Sequence, residues 1–340
     1  MNLNKKPLSR FSKRHCFAVT LGDPGGVGPE VSLKALLQLP PHVRSHFFLV
    51  GDTRFFQQQS RSLKLNCDFQ QLAGIQLNLK QTNAIQILHV PMPYQRFQRG
   101  KITAINGQAA FQSLSIAAAL AQKKMIGGLV TAPLSKEAVA KKEKGFIGHT
   151  EYLAKLTHAK RYAMLLCGGP LRVVLVTIHV PLEKVSRLIS KAKIKEKIML
   201  THDFLKKSLH IKRPKIGVSG LNPHAGENGL LGKQDAQLIA PVVRELKKKR
   251  WQVEGPLSPD RIFYDAYHQK FDAVVSMYHD HGLAPLKMIS FDSGINVTLG
   301  LPFIRTSPDH GTAMDIAGKN KANSESMRQA LIAALQYATS

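Results

Sequence analysis

One stretch near the C-terminus concentrates side chains that can do chemistry. A short apolar run, Ala273–Met277, stops abruptly, and the polar residues Tyr278, His279, Asp280, His281, Lys287, Asn296 and Arg305 follow among several glycines. Imidazoles can bind a metal or carry a proton, and Lys and Arg donate hydrogen bonds to carboxylate or phosphate. A strand end followed by a solvated loop is the plainer interpretation. The density of these residue types favours a functional site.

Three histidines share one position relative to predicted strands. His179 follows Arg172–Ile178, His224 follows Lys215–Ser219, and His279 follows Ala273–Met277. If these strands are parallel, the three imidazoles lie at the same edge of a sheet, where open α/β sheets bind ligands. Three His with an open position form a common catalytic metal site. Three separately hydrogen-bonded histidines remain an equal alternative.

Two further motifs lie where a helix is predicted to begin. Gly22–Glu30 reads GDPGGVGPE between a predicted strand, Cys16–Leu21, and a predicted helix, Val31–Leu39. It lacks the spacing of the dinucleotide and P-loop fingerprints, so a tight turn and a ligand loop are both open. In the second motif, Gly148-His-Thr-Glu151, Thr150 can cap the helix and His149 can contact a ligand.

The elements that must position these residues alternate along the chain. Further strands are predicted at His46–Val50, Ile85–Val90, Gly127–Thr131 and Ile295–Leu299, with a hairpin joining Tyr162–Leu166 to Arg172–Ile178. Helices are predicted at Asn106–Lys123 with Asn106 as the cap, and at Leu182–Ile189, Ile194–Leu209, Gln234–Lys248, Arg261–Gln269 and Ser324–Ala338. This alternation predicts parallel α/β layers. A length of 340 residues suits two domains.

Composition limits the classes of protein. The formal charge is +26, but the basic residues are spread along the chain, which favours a generally basic surface over a nucleic-acid site. A basic nucleic-acid-binding protein stays a distant alternative. Three widely spaced cysteines indicate a reducing compartment, and no apolar run has the length of a membrane span. Residues 1–15 are predicted to be a basic disordered extension.

Four motifs together resemble one enzyme family. They are GDPGGVGPE, GHTEYLA, LNPHAGE, and the run from YHDHGLAPLK to GINVTLGLPFIRTSPDHGTAMDIAG. From Phe17 onward the chain resembles the 4-hydroxythreonine-4-phosphate dehydrogenases of vitamin B6 biosynthesis. The resemblance implies a cytoplasmic enzyme that oxidises 4-phosphooxy-L-threonine with NAD and decarboxylates it to 3-amino-2-oxopropyl phosphate. A related enzyme for 4-phospho-D-threonate or 4-phospho-erythronate is the alternative, and a metal-dependent hydrolase without NAD is a third.

The resemblance also implies the site residues. The substrate contacts would be His149, Thr150, Lys287, Asn296 and Arg305. His179, His224 and His279 would bind one divalent ion (Zn, Mg, Mn or Co). The family forms homodimers with sites at the interface, so His279 is expected in the site of the partner chain. No nucleic acid or membrane partner is expected.

The segment His310–Lys319, with Asn323, is similar to the cofactor loop of isocitrate and isopropylmalate dehydrogenases. This similarity implies that His310, Gly311, Thr312 and Asn323 bind NAD or NADP outside a Rossmann fold. It also implies two α/β/α layered domains with a cleft between them. Residues 16–140 and about 300–340 would carry the cofactor loop, and about 141–299 the metal ligands and the dimer interface.

Three positions depart from the family pattern. His281 stands where Gln is usual, Met314 where an aromatic residue or Leu is common, and Gly25 where Ala is usual. None of these changes removes an expected ligand. His281 could add a fourth imidazole near the metal.

Overall fold

The computed structural model describes residues 15–74 and 83–338. The strands are β1 (Phe17–Thr20), β2 (Phe47–Gly51), β3 (Phe69–Gln71), β4 (Ile85–His89), β5 (Gly128–Val130), β6 (Ala163–Gly168), β7 (Leu171–Leu175), β8 (Lys215–Ser219), β9 (Gln252–Leu257), β10 (Ala273–Ser276), β11 (Ile295–Leu299) and β12 (Ile304–Pro308). The predicted extension, residues 1–15, lies outside the described residues except for residue 15.

The helices are α1 (Gly28–Leu37), α2 (Pro41–Arg44), α3 (Thr53–Ser62), α4 (Ala104–Gln122), α5 (Lys136–Ala140), α6 (His149–Leu156), α7 (Leu182–Leu188), α8 (Lys191–Ser208), α9 (Ala240–Lys248), α10 (Pro259–Tyr267), α11 (His279–Ser290) and α12 (Glu325–Ala338). None of these helices has the length and apolar character that crossing a membrane requires. The chain divides into a first unit, which runs to Leu153 and resumes at Pro302, and a second unit, Ala154–Leu301.

The first unit is built on a parallel sheet. Its strand order is β3-β4-β2-β1-β5-β12, and each neighbouring pair is parallel. Strands β1 and β2 are buried along their whole length, as is typical of a parallel sheet covered by helices. Helix α4 packs on β1, β2 and β5, whereas α12 packs on β5 and β12 and contacts α1. The predicted parallel arrangement is confirmed in this unit.

The second unit has a mixed sheet in the order β11-β6-β7-β10-β8-β9. The predicted hairpin of β6 and β7 is confirmed, and β6 is antiparallel to both of its neighbours. The sheet of this unit is therefore mixed, because a tight turn can join only antiparallel strands. Strand β10 runs parallel to β7 and to β8. Residues of β6, β7 and β10 pack with Phe263 of α10 and Leu286 of α11 in one apolar core.

Two helices differ from their predictions. Thr103, rather than Asn106, caps α4: its Oγ1 accepts a hydrogen bond from Asn106 N at 3.2 Å. Asn106 is buried one turn later and donates to the carbonyl oxygens of Gln98 and Lys101. Helix α11 is absent from the predictions because it contains Gly282 and Pro285, which disfavour helices.

Candidate active site

A buried arginine, Arg305, lies at the centre of a polar cluster in the first unit. The cluster also contains His149, Lys136 and Glu151. Arg305, on β12, is 4% exposed, and its Nε and Nη2 donate to Thr131 Oγ1 at 3.1 and 2.8 Å. Thr131 directly follows β5, the strand next to β12. Burial lowers the pKa of Arg305 to about 10, and the Glu151 carboxylate opposes this shift. Arg305 therefore stays charged at neutral pH and can bind an anion.

His149 begins α6 beside this cation. Burial lowers its pKa well below the usual value, and the charges of Arg305 and Lys136 lower it further. Its Nε2 atom is buried and has no hydrogen-bond partner among the described residues. His149 is thus a neutral imidazole with an unused nitrogen. Thr150 is buried inside the first turn of α6 rather than at the capping position.

Lys136 belongs to the same cluster, although sequence reasoning does not single it out as a ligand. A Cβ atom placed on Gly148 would lie 3.5 Å from Lys136 Nζ and 2.9 Å from Glu151 Oε2. Any larger residue than glycine would therefore crowd the space beside His149. The helix-capping Ser135, whose Oγ accepts from Ala138 N, fixes the start of α5 where Lys136 lies.

The other two predicted substrate contacts belong to the second unit. Lys287 is half-buried on α11, with Nζ 5.4 Å from the centre of the Phe291 ring. Asn296 is on β11, and its buried Oδ1 has no hydrogen-bond partner among the described residues. A buried amide oxygen without a partner is costly, so Asn296 is suited to accept a hydrogen bond from a ligand.

Two of the three expected metal ligands adjoin in the second unit. The ring centres of His179 and His279 are 5.3 Å apart, and both rings line a pocket of about 200 Å³. His279 Nδ1 lies 2.7 Å from Asp280 Oδ1. A carboxylate on one ring nitrogen commonly orients a histidine so that the other nitrogen faces a metal.

His224 lies in an unusual loop after β8. Residues 224–228 all have positive φ, and His224 itself has φ 50°. Such backbone is strained for residues other than glycine. Buried Asp235 holds the start of this loop, accepting from Leu221 N at 2.7 Å and from Asn222 Nδ2 at 2.8 Å.

His281 occupies an aromatic environment. Its ring stacks on Tyr278 at 5.0 Å and meets the edge of Phe263 at 5.7 Å. Burial lowers its pKa, and Ser219 Oγ lies 3.4 Å from its Nε2. His281 is therefore packed among aromatic rings, and its buried Nδ1 has no hydrogen-bond partner among the described residues.

A divalent ion fits part of this arrangement. His179 and His279 offer two imidazoles, and Asp280 is placed to orient one of them. Across residues 15–74 and 83–338 no group of three His, Cys, Asp or Glu side chains converges as a metal site. The structure therefore brings together two of the expected ligands within one chain, and His224 does not join them in such a group.

The predicted cofactor loop packs on the glycine-rich turn after β1. Val27 N donates to Thr312 O at 2.8 Å, and a Cβ atom on Gly26 would lie 2.8 Å from Thr312 Cβ. Gly311 has open space around it. His310 is exposed, with Nδ1 3.0 Å from Gly311 O. Gly26 thus lets the loop pack closely on the turn, and Gly311 leaves space beside the loop backbone.

Asn323 has a structural contact. It is exposed, and its Oδ1 accepts from Glu325 N at 2.9 Å at the start of α12. The amide oxygen is therefore engaged by the helix terminus, as is usual for Asn at such a position.

Most of the chain is similar to known proteins. The family described as "Pyridoxal phosphate biosynthetic protein PdxA" matches residues 44–334. The 4-hydroxythreonine-4-phosphate dehydrogenase of Geobacter metallireducens is 40% identical over 333 residues, covering 94% of this chain and 94% of that protein. The D-threonate 4-phosphate dehydrogenase of Salmonella typhimurium is 38% identical over 327 residues, covering 94% of this chain and 98% of that protein.

A solved structure also matches. The crystal structure of 4-hydroxythreonine-4-phosphate dehydrogenase from Klebsiella pneumoniae superposes with a TM-score of 0.87 at 36% identity. The match covers 96% of this chain and 98% of that one. This likeness confirms the predicted α/β fold class.

Proposed function

The chain belongs to the pyridoxal phosphate biosynthetic protein PdxA family, and we propose that it oxidises and decarboxylates 4-phosphooxy-L-threonine with NAD in pyridoxine 5'-phosphate biosynthesis. The observation that carries this proposal is the cluster of Arg305, Lys136 and neutral His149 in the first unit. Two cations beside an uncharged imidazole suit a small substrate with phosphate and carboxylate groups.

The structure of the substrate determines the two steps of the proposed reaction, an oxidation and a decarboxylation. In the proposed reaction the C3 hydroxyl would lose its proton, and a bound nicotinamide would accept the hydrogen of C3 as hydride. The β-keto acid that results loses carbon dioxide and takes up a proton, which leaves 3-amino-2-oxopropyl phosphate. In the first unit, Arg305 and Lys136 are proposed to neutralise anionic groups of the substrate, and the unused His149 Nε2 is proposed to orient it.

His179, His224 and His279 are proposed to hold a divalent ion, which when bound lowers the pKa of a coordinated alcohol and stabilises negative charge during decarboxylation. Asp280 would keep His279 oriented, and Asp235 would keep the loop of His224 in place. His310, Gly311, Thr312 and Asn323 are proposed to contact NAD or NADP, which accepts the hydride.

A second substrate is supported by a specific comparison. The Salmonella typhimurium relative is named for D-threonate 4-phosphate and is nearly as similar as the relative named for 4-hydroxythreonine-4-phosphate. The two substrates differ at C2, which carries a hydroxyl in one and an amine in the other. Turnover of both with NAD, compared as kcat/KM, tests the assignment. A higher kcat/KM for D-threonate 4-phosphate would overturn the first choice.

We also propose that the chain is a homodimer that uses a face of the second unit. On α11 and directly after it, Met288 is 83% exposed and Phe291 is 75% exposed, and Leu182 on α7 is 70% exposed. Large apolar side chains with such exposure commonly mark protein interfaces. The double variant Met288→Asp/Phe291→Asp should elute as a monomer in light-scattering chromatography if this face forms the dimer.

A further inference from the structure

A second cavity lies in the first unit, beside the glycine-rich turn that follows β1. It has a volume of about 760 Å³ and is lined by residues that follow three strands: Pro24 after β1, Arg54 on α3 after β2, and Tyr94 after β4. These three strands are neighbours in the parallel sheet. Ligands of open α/β sheets bind outside the carboxyl ends of the strands, and the volume suits a small molecule.

The lining of the cavity is basic. Arg54, Arg61 and Arg99 contribute guanidinium groups, and none of the described residues that line the cavity is a carboxylate. Arg54 is paired with Asp52 at 3.2 Å. Arg99 Nη2 instead donates to two neutral oxygens, Gln59 Oε1 at 2.7 Å and Ser62 Oγ at 3.0 Å. Arg99 is thereby held in place with no carboxylate partner in residues 15–74 and 83–338, and Arg61 adds a second charge.

The same cavity is lined by the partly exposed aromatic side chains of Tyr94 and Phe97, by buried Phe55, and by amide groups. Phe55 and Phe97 meet edge to face at 5.2 Å, and the Tyr94 ring lies 5.0 Å from Arg54 Cζ. Gln57, Gln58 and Gln95 also line it and can both donate and accept hydrogen bonds. Aromatic rings and arginines stack on nucleobases, whereas an inorganic anion needs neither rings nor amides.

The cavity is joined to the predicted cofactor loop. A Cβ atom on Gly318 would lie 3.0 Å from Arg99 Cδ, and Gly100 N donates to Gly25 O at 2.8 Å. Asn320 Nδ2 donates to Leu63 O, just after α3. The wall that carries Arg99 is therefore continuous with the loop and the glycine-rich turn.

We propose that this cavity binds an adenine nucleotide, with its phosphates at Arg61 and Arg99 and its base among the rings and glutamine amides. The nucleotide is either the ADP half of the dinucleotide cofactor or a free adenine nucleotide. The first source rests on the proposed function, whereas the binding of ADP itself does not.

The test is calorimetric titration of the full chain with ADP, and with adenosine for comparison. ADP should bind at least about 10-fold more tightly than adenosine, because charge-assisted hydrogen bonds to phosphate are lost without it. Arg61→Ala and Arg99→Ala should each weaken ADP binding by about 10-fold or more. Arg96→Ala is the matched control, since Arg96 is an exposed neighbour outside the lining, and it should bind ADP like the unaltered protein.

Competition distinguishes the two sources. NAD that displaces ADP identifies the cavity with the cofactor's ADP half, and ADP that binds alongside NAD identifies a separate nucleotide site. The proposal is overturned if ADP does not bind, if both variants bind it normally, or if Arg96→Ala weakens it equally. A chain that binds ADP as expected but forms no NADH from either substrate would overturn the proposed function alone.

Discussion

At the scale of single residues, the first unit's polar cluster depends on one buried cation. Arg305 is held by two hydrogen bonds to Thr131 and has no more than 4% of its surface exposed. Its charge persists at neutral pH because burial lowers its pKa only to about 10. The adjacent neutral His149 adds no competing charge.

Arg305→Ala should raise KM for the phosphorylated substrate by roughly 10- to 100-fold, because it removes a charged fork donor for an oxyanion. Arg305→Lys keeps the charge but not the fork, so its KM should fall between those of the unaltered enzyme and the alanine variant. Steady-state kinetics on folded variants measures this. Unchanged KM and kcat in Arg305→Ala would show that the arginine is structural.

A second residue gives a pH-dependent prediction. Asp23 is fully buried, Gly25 N donates to its Oδ1 at 2.8 Å, and burial raises its pKa from 3.8 to about 6. A raised pKa in the folded state stabilises the fold below the unfolded pKa of 3.8, and this stabilisation is lost as pH rises through about 6. At pH 8 the buried carboxylate therefore costs about 3 kcal/mol.

Asp23→Asn removes the cost of burying the carboxylate. The asparagine amide oxygen can still accept the hydrogen bond from Gly25 N. The variant should unfold at a higher temperature than the unaltered protein at pH 8, and the difference should shrink to about half at pH 5. Calorimetric unfolding at both pH values checks it. Asp68→Asn, at an exposed carboxylate, is the control for the loss of a negative charge. A pH-independent difference for Asp23→Asn would contradict the pKa shift.

Several residues of the site could be predicted from sequence and others could not. Arg305 and His149 could be predicted as site residues because both belong to specific motifs. The structure places them close together. Lys136 is not predicted, since its closeness to His149 depends on the packing of α5 and α6 rather than on a motif. Asp235 is missed for the same reason: it supports a loop whose left-handed backbone leaves no clear signature in the residues 224–228.

At the scale of secondary structure elements, one glycine sets how closely two helices approach. Gly107 lies in α4, which packs against α5, and a Cβ atom there would overlap the carbonyl oxygen of Ala138. Gly107→Ala should lower the stability of the protein by about 1–3 kcal/mol, because a tightly packed contact cannot accept another methyl group.

Gln108→Ala is the matched control, since Gln108 is the next residue of α4 and is exposed. Its effect should stay within about 0.5 kcal/mol. Urea unfolding of both variants measures the difference. Equal stability of the two variants would show that α4 and α5 can move apart at little cost.

The strands were predictable where continuous apolar runs are buried, as in β2 and β10. Helix α11 was not, because Gly282 and Pro285 oppose helix formation locally. Burial of Leu283 and Leu286 against β6 and β7 outweighs that preference. The sequence predicts Asn106 as the cap of α4 because Asn and Thr are both favoured at caps, whereas packing buries Asn106 and leaves Thr103 as the cap.

At the scale of the whole molecule, the α/β class follows from the alternation of strands and helices. The pairing of distant segments does not follow from it. Thr131 and Arg305 are 174 residues apart in sequence, yet they are hydrogen-bonded because β5 and β12 are neighbours. Local periodicity carries no information on such neighbours.

The proposed dimer leads to a prediction about the histidines. If His279 serves the site of the partner chain, a mixed dimer of the inactive variants His224→Ala and His279→Ala has one intact site and one doubly altered site. Random reassembly makes about half of the dimers mixed, so roughly a quarter of the unaltered activity should return. Each variant must first be shown to be folded, dimeric and inactive.

The outcome matters because His179 and His279 of one chain already lie together, with ring centres 5.3 Å apart. Verified mixed dimers without recovered activity would place all three histidines of a site on one chain. The measurement is NADH formation after subunit exchange, with exchange confirmed by differently tagged chains.

The most direct measurement follows NADH formation from 4-phosphooxy-L-threonine, with metal content determined in parallel. We predict that NADH forms with the unaltered protein, stops when a chelator removes the divalent ion, and returns when the ion is restored. Full turnover with the metal shown to be absent by elemental analysis would contradict the metal-dependent dehydrogenase, as would a metal-loaded protein that forms no NADH.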